Sequence, residues 1–379
     1  MRIIICAAGT GGHINPAIAI ANKIKEKEPN SKIVFIGTNR GLENDLVPRA
    51  GYELKTIEAY GLKKEISIRN IIHIIKTIKS SKDVKKIIDE FKPDLVLGTG
   101  GYICGPVISS AISRKIPTVL HESNAYPGRA VKMFAKDVNL LLTGFQETKN
   151  RLKDCKKIVV TGTPTKIKKV RIDENRKKEI LKEFGIKNDL PIVLIFGGSQ
   201  GAKAINDAVF NLIIKKLNKD YQIIWVAGTK QYDIIKESFE KENIYINHLT
   251  NVKVLPYIYN MEEIMNISDL LVARSGAMTI TEVSIVGKPA IFIPLPSKSA
   301  NRQEDNARVL EKIGAAKIIL NKDLNEEKLS LEINDIIFNK SELEEMGNLA
   351  NRFAPSNVEE KIYLEIKKML EELKNNNDR

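Results

Sequence analysis

Twice in this chain a short run rich in β-branched residues ends in a cluster of glycines and gives way at once to a helical pattern. The first run, Arg2 to Ala8, leads into Gly9, Thr10, Gly11, Gly12 and His13; the second, Ile192 to Phe196, leads into Gly197, Gly198, Ser199, Gln200 and Gly201. A run that is apolar throughout suits a strand covered on both faces, which is the burial of a parallel sheet with helices on either side. After the first cluster Ile14, Ile18, Ala21 and Ile24 share a helix face, with Asn15 read as its cap and Pro16 in its first turn. Such a unit offers unpaired helix N–H groups to an anion. His13 adds a titratable imidazole at that point.

The alternation extends along the chain. Strands are expected at 32–37, 53–57, 94–98, 118–121, 138–143 and 157–161, and helices at 42–50 and 68–91. Gly162 to Lys178 is polar and lysine-rich and reads as a linker. The pattern restarts at Pro191, with a helix at 204–217 and strands at 192–196, 222–227, 252–255, 269–273 and 289–294. With 379 residues, more than one ordinary core holds, this predicts an α/β chain of two similar domains with a cleft between them. From about Ser356 the chain reads as one charged helix whose Ile362, Leu364, Ile366 and Leu370 require a surface to pack on.

Composition narrows the partners. No apolar run approaches the roughly eighteen residues of a membrane span, so a soluble chain is expected, and the run after Arg2 is too short for a secretory leader. Cys6, Cys104 and Cys155 have no metal-ligand spacing and read as reduced, packed thiols in a cytoplasm. A net charge of +13 favours anionic partners: nucleic acid, a membrane surface or phosphorylated small molecules. Aromatics at 6%, not interleaved with basic residues, argue against a nucleic-acid-binding module. Without an Asp-x-Asp pair, HExxH or a Cys/His cluster, no metal or other cofactor is expected. The charge of any departing nucleotide then falls to helix N-termini and basic side chains.

Four clusters carry chemistry. The Gly9 to His13 loop lacks GxGxxG spacing. Gly98 to Pro106 (GTGGYICGP) sets four glycines where backbone must turn sharply or approach a ligand closely. His121, Glu122, Ser123 and Asn124 follow a strand at the carboxyl edge of a parallel sheet, where such folds bind ligands; a polar loop with Asn124 starting a turn also accounts for them. The fourth comes in pieces: FGGSQGA with Ser199, RSGAMTITE with Glu282 placed to accept ribose hydroxyls, and NRQEDNA with Arg302, Gln303 and Asn306 for a sugar or phosphate.

In order, and across nearly the whole chain, GTGGHxxP, GTGGYxxGP, HExN, GGSQGA, RSGAxTxxE and QxxNA resemble the MurG family of peptidoglycan glycosyltransferases. The resemblance implies a GT-B fold: two Rossmann-like domains whose parallel sheets face across a cleft. Residues 1–162 with 356–379 would form the acceptor- and membrane-facing domain, the C-terminal helix packing back on it, and residues 163–355 the UDP-GlcNAc domain. It further implies inverting transfer of GlcNAc from UDP-GlcNAc to the 4-hydroxyl of MurNAc in undecaprenyl-diphospho-MurNAc-pentapeptide (lipid I), giving lipid II for the cell wall. The site would be the cytoplasmic face of the bacterial membrane, with peripheral attachment and cell-wall or division proteins as further partners.

Carried over by position, the resemblance places Ser199 and its glycines on the diphosphate and the Ile258 backbone on uracil. Ala277, Met278 and Thr279 take the α-phosphate, Glu282 the ribose and Gln303 the GlcNAc hydroxyls. Thr10, Gly11, Gly12 and His13, with Gly100, Gly101, Tyr102 and Gly105, would face the lipid-linked diphosphate; Thr10 to His13, Asn124 and Lys166 are counted with the donor as well. His13, Glu122 and Asn124 would stand near the reacting hydroxyl, with His13 as the base and Glu122 the second candidate. Two positions depart from the family: GTPTK has Thr163 and Lys166 where Asn and Arg are common, and lysine keeps the charge without a bidentate contact. Arg302 stands where a glutamine or histidine is common.

Ile68 to Lys86 joins six isoleucines to six basic residues, a composition suited to an anionic membrane surface. With Ile71, Ile72, Ile75 and Ile78 turned to the core, Ile68, Ile74, Lys76, Lys79 and Lys82 make up the membrane-facing set. Two other classes fit this architecture: a glycosyltransferase of another lipid, disfavoured by the acceptor-side loops, and a sugar-nucleotide epimerase, which would need no acceptor.

Overall fold

Strands buried on both faces pair in parallel, and each pairing among the described residues is parallel. The computed structural model describes residues 1–60, 68–152, 154–186, 190–249, 251–297 and 301–377, with the side chains of 68–79 and 377 left aside. Two compact units result, Met1–Lys166 with Pro355–Arg379, and Ile167–Ala354.

The first unit runs β1 (Arg2–Ala7), α1 (Gly11–Lys27), β2 (Lys32–Gly37), α2 (Glu43–Arg49), β3 (Glu53–Thr56), α3 (Ile68–Phe91), β4 (Leu95–Gly100), α4 (Cys104–Ser113), β5 (Thr118–Glu122), α5 (Arg129–Phe134), β6 (Leu140–Thr143), α6 (Gln146–Asn150) and β7 (Ile158–Val160). The second runs α7 (Glu174–Phe184), β8 (Ile192–Phe196), α8 (Lys203–Ile214), β9 (Gln222–Val226), α9 (Tyr232–Lys241), β10 (Val252–Leu255), α10 (Met261–Ile267), β11 (Leu270–Ala273), α11 (Ala277–Val286), β12 (Ala290–Phe292), α12 (Arg302–Lys312), β13 (Ala316–Ile318), α13 (Glu326–Ile337) and α14 (Lys340–Phe353). The chain then returns to the first unit as α15 (Val358–Asn377).

Sheet order is β3-β2-β1-β4-β5-β6-β7 in the first unit and β10-β9-β8-β11-β12-β13 in the second. In each, the opening strand lies where the order reverses, between β2 and β4 or between β9 and β11. At such a point the crossover helices diverge to opposite faces and leave a crevice at the carboxyl ends of the strands. Both glycine clusters therefore lie at the rim of a crevice. Between β1 and β4 the register slips: Cys6 pairs with Gly98 but Ala7 with Gly100, leaving Thr99 as an extra residue.

Several expectations need correction. The first helix begins at Gly11 and its N-cap is Thr10, in extended conformation; Asn15 is an exposed residue within the helix and Pro16 lies in its second turn. The linker read as far as Lys178 is interrupted at Glu174 by α7, which Asp173 caps by accepting from the Arg176 N–H. The edge strand β13 of the second unit's sheet was not in the pattern. Cys6 and Cys104 are buried, as packed thiols should be, but Cys155 is only half-buried.

The last helix turns an apolar stripe onto the first unit. Val358, Ile362, Ile366 and Met369 share a buried cluster with Ile14, Ala17, Ile18 and Ala21 of α1, and Lys367 Nζ reaches Glu28 Oε1 at 3.0 Å. Leu364, read with this stripe, points away and is 55% exposed. Ile362→Ala is therefore expected to cost about 2–5 kcal/mol in urea unfolding, whereas Leu364→Ala should stay within about 0.5 kcal/mol. Equal losses at both positions would refute this orientation.

Candidate active site

In the first unit the site is built from backbone bent by glycine. Gly9 has φ +96°, and its N–H donates to Glu43 Oε2 at 3.0 Å. The N–H groups of His13 and Ile14 both bond the Thr10 carbonyl, so the turn before them, Gly11 and Gly12, carries the donors that α1 does not use internally. His13 is half-buried in that first turn, with Nδ1 3.0 Å from the Ala8 carbonyl. A carbonyl only accepts, so Nδ1 carries the proton and Nε2 the lone pair of the neutral ring.

The second glycine loop lies against this pair. Thr99 Oγ1 donates to the His13 carbonyl at 2.8 Å. Gly100 (φ +132°) and Gly101 (φ +88°) adopt backbone conformations that side chains oppose. An added Cβ at Gly100 would meet His13 Cδ2 at 2.4 Å, and one at Gly101 would meet the Ala8 carbonyl oxygen at 2.6 Å. Tyr102 is half-buried against the core beside β4. A Cβ at Gly105 would meet nothing within 4 Å, so packing does not demand glycine there.

The His121 to Asn124 cluster is mostly internal. His121 is buried, its Nε2 3.0 Å from the Gly162 carbonyl, and burial pushes its pKa below the ordinary value. Glu122 is buried too; Oε1 accepts from the Asn124 N–H and side-chain amide, both at 2.9 Å, and Oε2 from the Gly128 N–H at 2.5 Å. The carboxylate is thus the hub of the loop it begins, close to the turn reading. Asn124 is half-buried, and its carbonyl accepts from Thr148 Oγ1 at 2.6 Å.

In the second unit the donor-side residues gather around two helix N-termini. α11 starts at Ala277, and its first turn closes when the Ile280 N–H bonds the Gly276 carbonyl at 3.0 Å. The N–H groups the helix leaves over are those of Ala277, Met278 and Thr279, the three residues the resemblance assigns to a phosphate. Glu282 is half-buried one turn further on. The turn before α11 is clamped: Ser275 Oγ donates to the Gln303 carbonyl at 2.8 Å, and the Asn306 amide donates to the Ser275 carbonyl at 3.1 Å.

Gln303 Oε1 accepts from the Leu295 N–H at 2.9 Å, which makes its NH2 the end that can meet a sugar. Asn306, offered above for a ligand, is instead fully buried in the clamp. Arg302 Nε is buried with no partner among the described residues. Arg274 spends Nη1 on the carbonyls of Ile293 and Pro294 and on Asn321, and burial lowers its pKa.

Ser199 is exposed in the loop before α8, and its carbonyl accepts from Thr229 N and Oγ1, both at 3.3 Å. Gly228 packs so tightly on this loop that a Cβ there would meet Gly201 N at 2.1 Å. Ile258 is buried. Of the departures, Thr163 is buried, its Oγ1 without a partner among the described residues, and Lys166 is exposed; both fall in the first unit.

Side chains of Ile68, Ile74, Lys76 and Lys79 lie outside the described residues. Further along α3, Lys82, Lys85 and Lys86 are exposed and line an open basic depression with Arg114, which Asp89 holds through two bonds of 2.8 Å.

Two parallel α/β units, each with a glycine loop at the point where its strand order reverses, are the GT-B architecture of sugar-nucleotide glycosyltransferases. Residues 3–142 match the glycosyltransferase family 28 N-terminal domain and residues 192–362 its C-terminal domain. The chain is 41% identical over 367 residues, 97% of its length and 99% of the relative's, to the UDP-N-acetylglucosamine–N-acetylmuramyl-(pentapeptide) pyrophosphoryl-undecaprenol N-acetylglucosamine transferase of Thermoanaerobacter sp. strain X514. To the enzyme of that name from Acetivibrio thermocellus it is 41% identical, covering 98% of each chain. A crystal structure of MurG from Acinetobacter baumannii superposes with a TM-score of 0.77 at 27% identity, covering 97% of this chain and 99% of that one. The chain belongs to glycosyltransferase family 28 and, within it, to the family of these N-acetylglucosamine transferases.

Glu43 is the site residue that motif reading missed. It is fully buried, and besides Gly9 it binds the Thr38 N–H at 3.0 Å and the Thr38 hydroxyl at 2.7 Å. Its signal was available: Glu43 shares a helix face with Val47 and Ala50, an acid on an apolar stripe. Burial raises its pKa, but the hydrogen bonds from Gly9 and Thr38 outweigh that and hold it below the ordinary 4.5. A carboxyl lowered by folding stabilises above its ordinary value and loses that contribution as pH falls through the folded value. Urea unfolding should show the wild type ahead of Glu43→Gln at neutral pH and converging with it under acid; a gap unchanged by pH would reject the assignment.

Proposed function

We infer that this chain moves GlcNAc from UDP-GlcNAc to the 4-hydroxyl of MurNAc in undecaprenyl-diphospho-MurNAc-pentapeptide, with inversion, to give lipid II. What carries the reading is the pairing of His13 Nδ1 with the Ala8 carbonyl, which leaves a basic Nε2 at a helix N-terminus, in a chain 41% identical over 97% of its length to a transferase of that name. The acceptor hydroxyl is a weak nucleophile, so a base must take its proton as it attacks C1 and UDP departs from the other face. His13 Nε2 is that base. Glu122 is the weaker candidate, because its oxygens are committed to Asn124 and Gly128, and it serves to hold the loop that presents Asn124.

Charge developing on UDP goes to the N–H groups of Ala277, Met278 and Thr279 and to the Ser199 loop, with no metal ion invoked. Glu282 takes the ribose, the Ile258 backbone the uracil and the Gln303 amide the GlcNAc hydroxyls. Thr10, Gly11, Gly12, Gly100, Gly101, Tyr102 and Gly105 face the acceptor diphosphate. Lys166, exposed, adds charge on the donor side.

No helix among the described residues is long and apolar enough to cross a membrane. The reading attaches the chain peripherally to the cytoplasmic face of the membrane through the stretch that carries Ile68, Ile74, Lys76, Lys79 and Lys82, a composition suited to anionic headgroups. Division or cell-wall proteins would recruit it there.

Transfer of labelled GlcNAc from UDP-GlcNAc to a short-chain lipid I analogue tests the activity; consumption of UDP-GlcNAc without acceptor would mark an epimerase instead. His13→Ala should lose about 10²–10⁴ in turnover while binding UDP-GlcNAc normally by calorimetry. Near-normal turnover would remove His13 as the base. Binding to anionic vesicles should weaken with salt and fall when Lys76, Lys79 and Lys82 are all changed to Glu; unchanged binding would remove α3 as the anchor.

A further inference from the structure

We propose that Thr99, Gly100 and Gly101 are positioning residues for the His13 base: the second glycine loop fixes the tautomer, the ring plane and the exposure of Nε2. The proposal rests on His13 acting as base, and each residue contributes through a contact already described.

The extra residue in β4 is the origin. Because Cys6 pairs with Gly98 and Ala7 with Gly100, Thr99 is squeezed out of the ladder. A bulge re-aims the side chain it carries, and here the hydroxyl donates to the His13 carbonyl at 2.8 Å, tying the first turn of α1 to the end of β4. Thr99 itself is 2% exposed.

The glycines act on the imidazole itself. A Cβ on Gly100 would lie 2.4 Å from Cδ2, 2.9 Å from Cγ and 2.9 Å from Nε2, so any larger residue would displace the ring and cover the nitrogen that takes the proton. A Cβ on Gly101 would lie 2.6 Å from the Ala8 oxygen, the acceptor of the Nδ1 proton. One glycine thus makes room for the ring and the next for the carbonyl that orients it. When Nε2 takes the acceptor's proton the ring becomes a cation, and the Ala8 carbonyl already faces its other N–H.

The test uses the full-length chain and the lipid I analogue assay. Thr99→Val keeps the shape and deletes the donor, and should lower kcat about tenfold; Gly100→Ala should lower it about a hundredfold. KM for UDP-GlcNAc should stay within about twofold in both, because the change acts on proton transfer and not on donor binding. Thr99→Ser, which keeps the hydroxyl, should restore kcat. In spectra of the chain with 15N-labelled histidine, the wild type should show His13 protonated at Nδ1, and Gly100→Ala should lose that signature.

Wild-type kcat in Thr99→Val, or an unaltered His13 tautomer in Gly100→Ala, would overturn the positioning role. Should Gly100→Ala fail to fold, the Thr99→Val and Thr99→Ser pair decides alone. His13→Ala with normal turnover would instead overturn the base itself, so the two failures are distinguishable.

Discussion

The chemistry of the first unit depends on a misfit of one residue between two neighbouring strands. Had β4 kept register with β1, Thr99 would stand in the ladder opposite Ala7 and the two glycines after it would each lie one residue further along. The slip brings Gly100 and Gly101 over Ala8 and His13, at distances only hydrogen atoms tolerate. Glu43 holds the same loop from the other side by its bond to Gly9. The loop is therefore fixed by α2, β4 and α1 together.

The second unit solves a different problem with the same architecture. An anion requires directed N–H groups more than it requires a reactive side chain, and the start of α11 offers three. What must be supplied is rigidity, since a donor that swings with its loop stabilises little. Ser275, Gln303 and Asn306 provide it by locking the turn before α11 to the start of α12. Asn306, which looks like a ligand contact in the sequence, thus holds the turn instead.

Much of this was readable from residue pattern, and the exceptions share a cause. Strands such as Ile192–Phe196 and Val252–Leu255 emerged with their observed limits because β-branched runs between turn-forming residues, Pro191 and Gly197 or Asn251 and Pro256, have few alternatives. Helix α7 escaped because a lysine- and glutamate-rich segment resembles a linker in composition, although Asp173 before it and Gly185 in left-handed conformation after it mark both ends. Strand β13 is three residues with Lys317 at its centre, too short for a period to register. In the site, the glycines and His13 stood out by type and spacing. Thr99 did not, because its role arises only when strands far apart in sequence become neighbours, and Glu43 showed only as an acid on an apolar helix face. Leu364 shows the opposite error: an apolar residue two positions from Ile362 and Ile366 is on the wrong side of a helix.

The helix that completes the first core is made after the whole of the second unit. Residues Ile167–Ala354 form a contiguous segment, whereas the first unit takes α15 from beyond it. During synthesis the second unit can therefore close as soon as it emerges, while the apolar face of α1 stays uncovered until α15 arrives. The unit that bears His13 is the later one to mature. A ribosome-bound intermediate would hold a finished second unit and an unfinished first one.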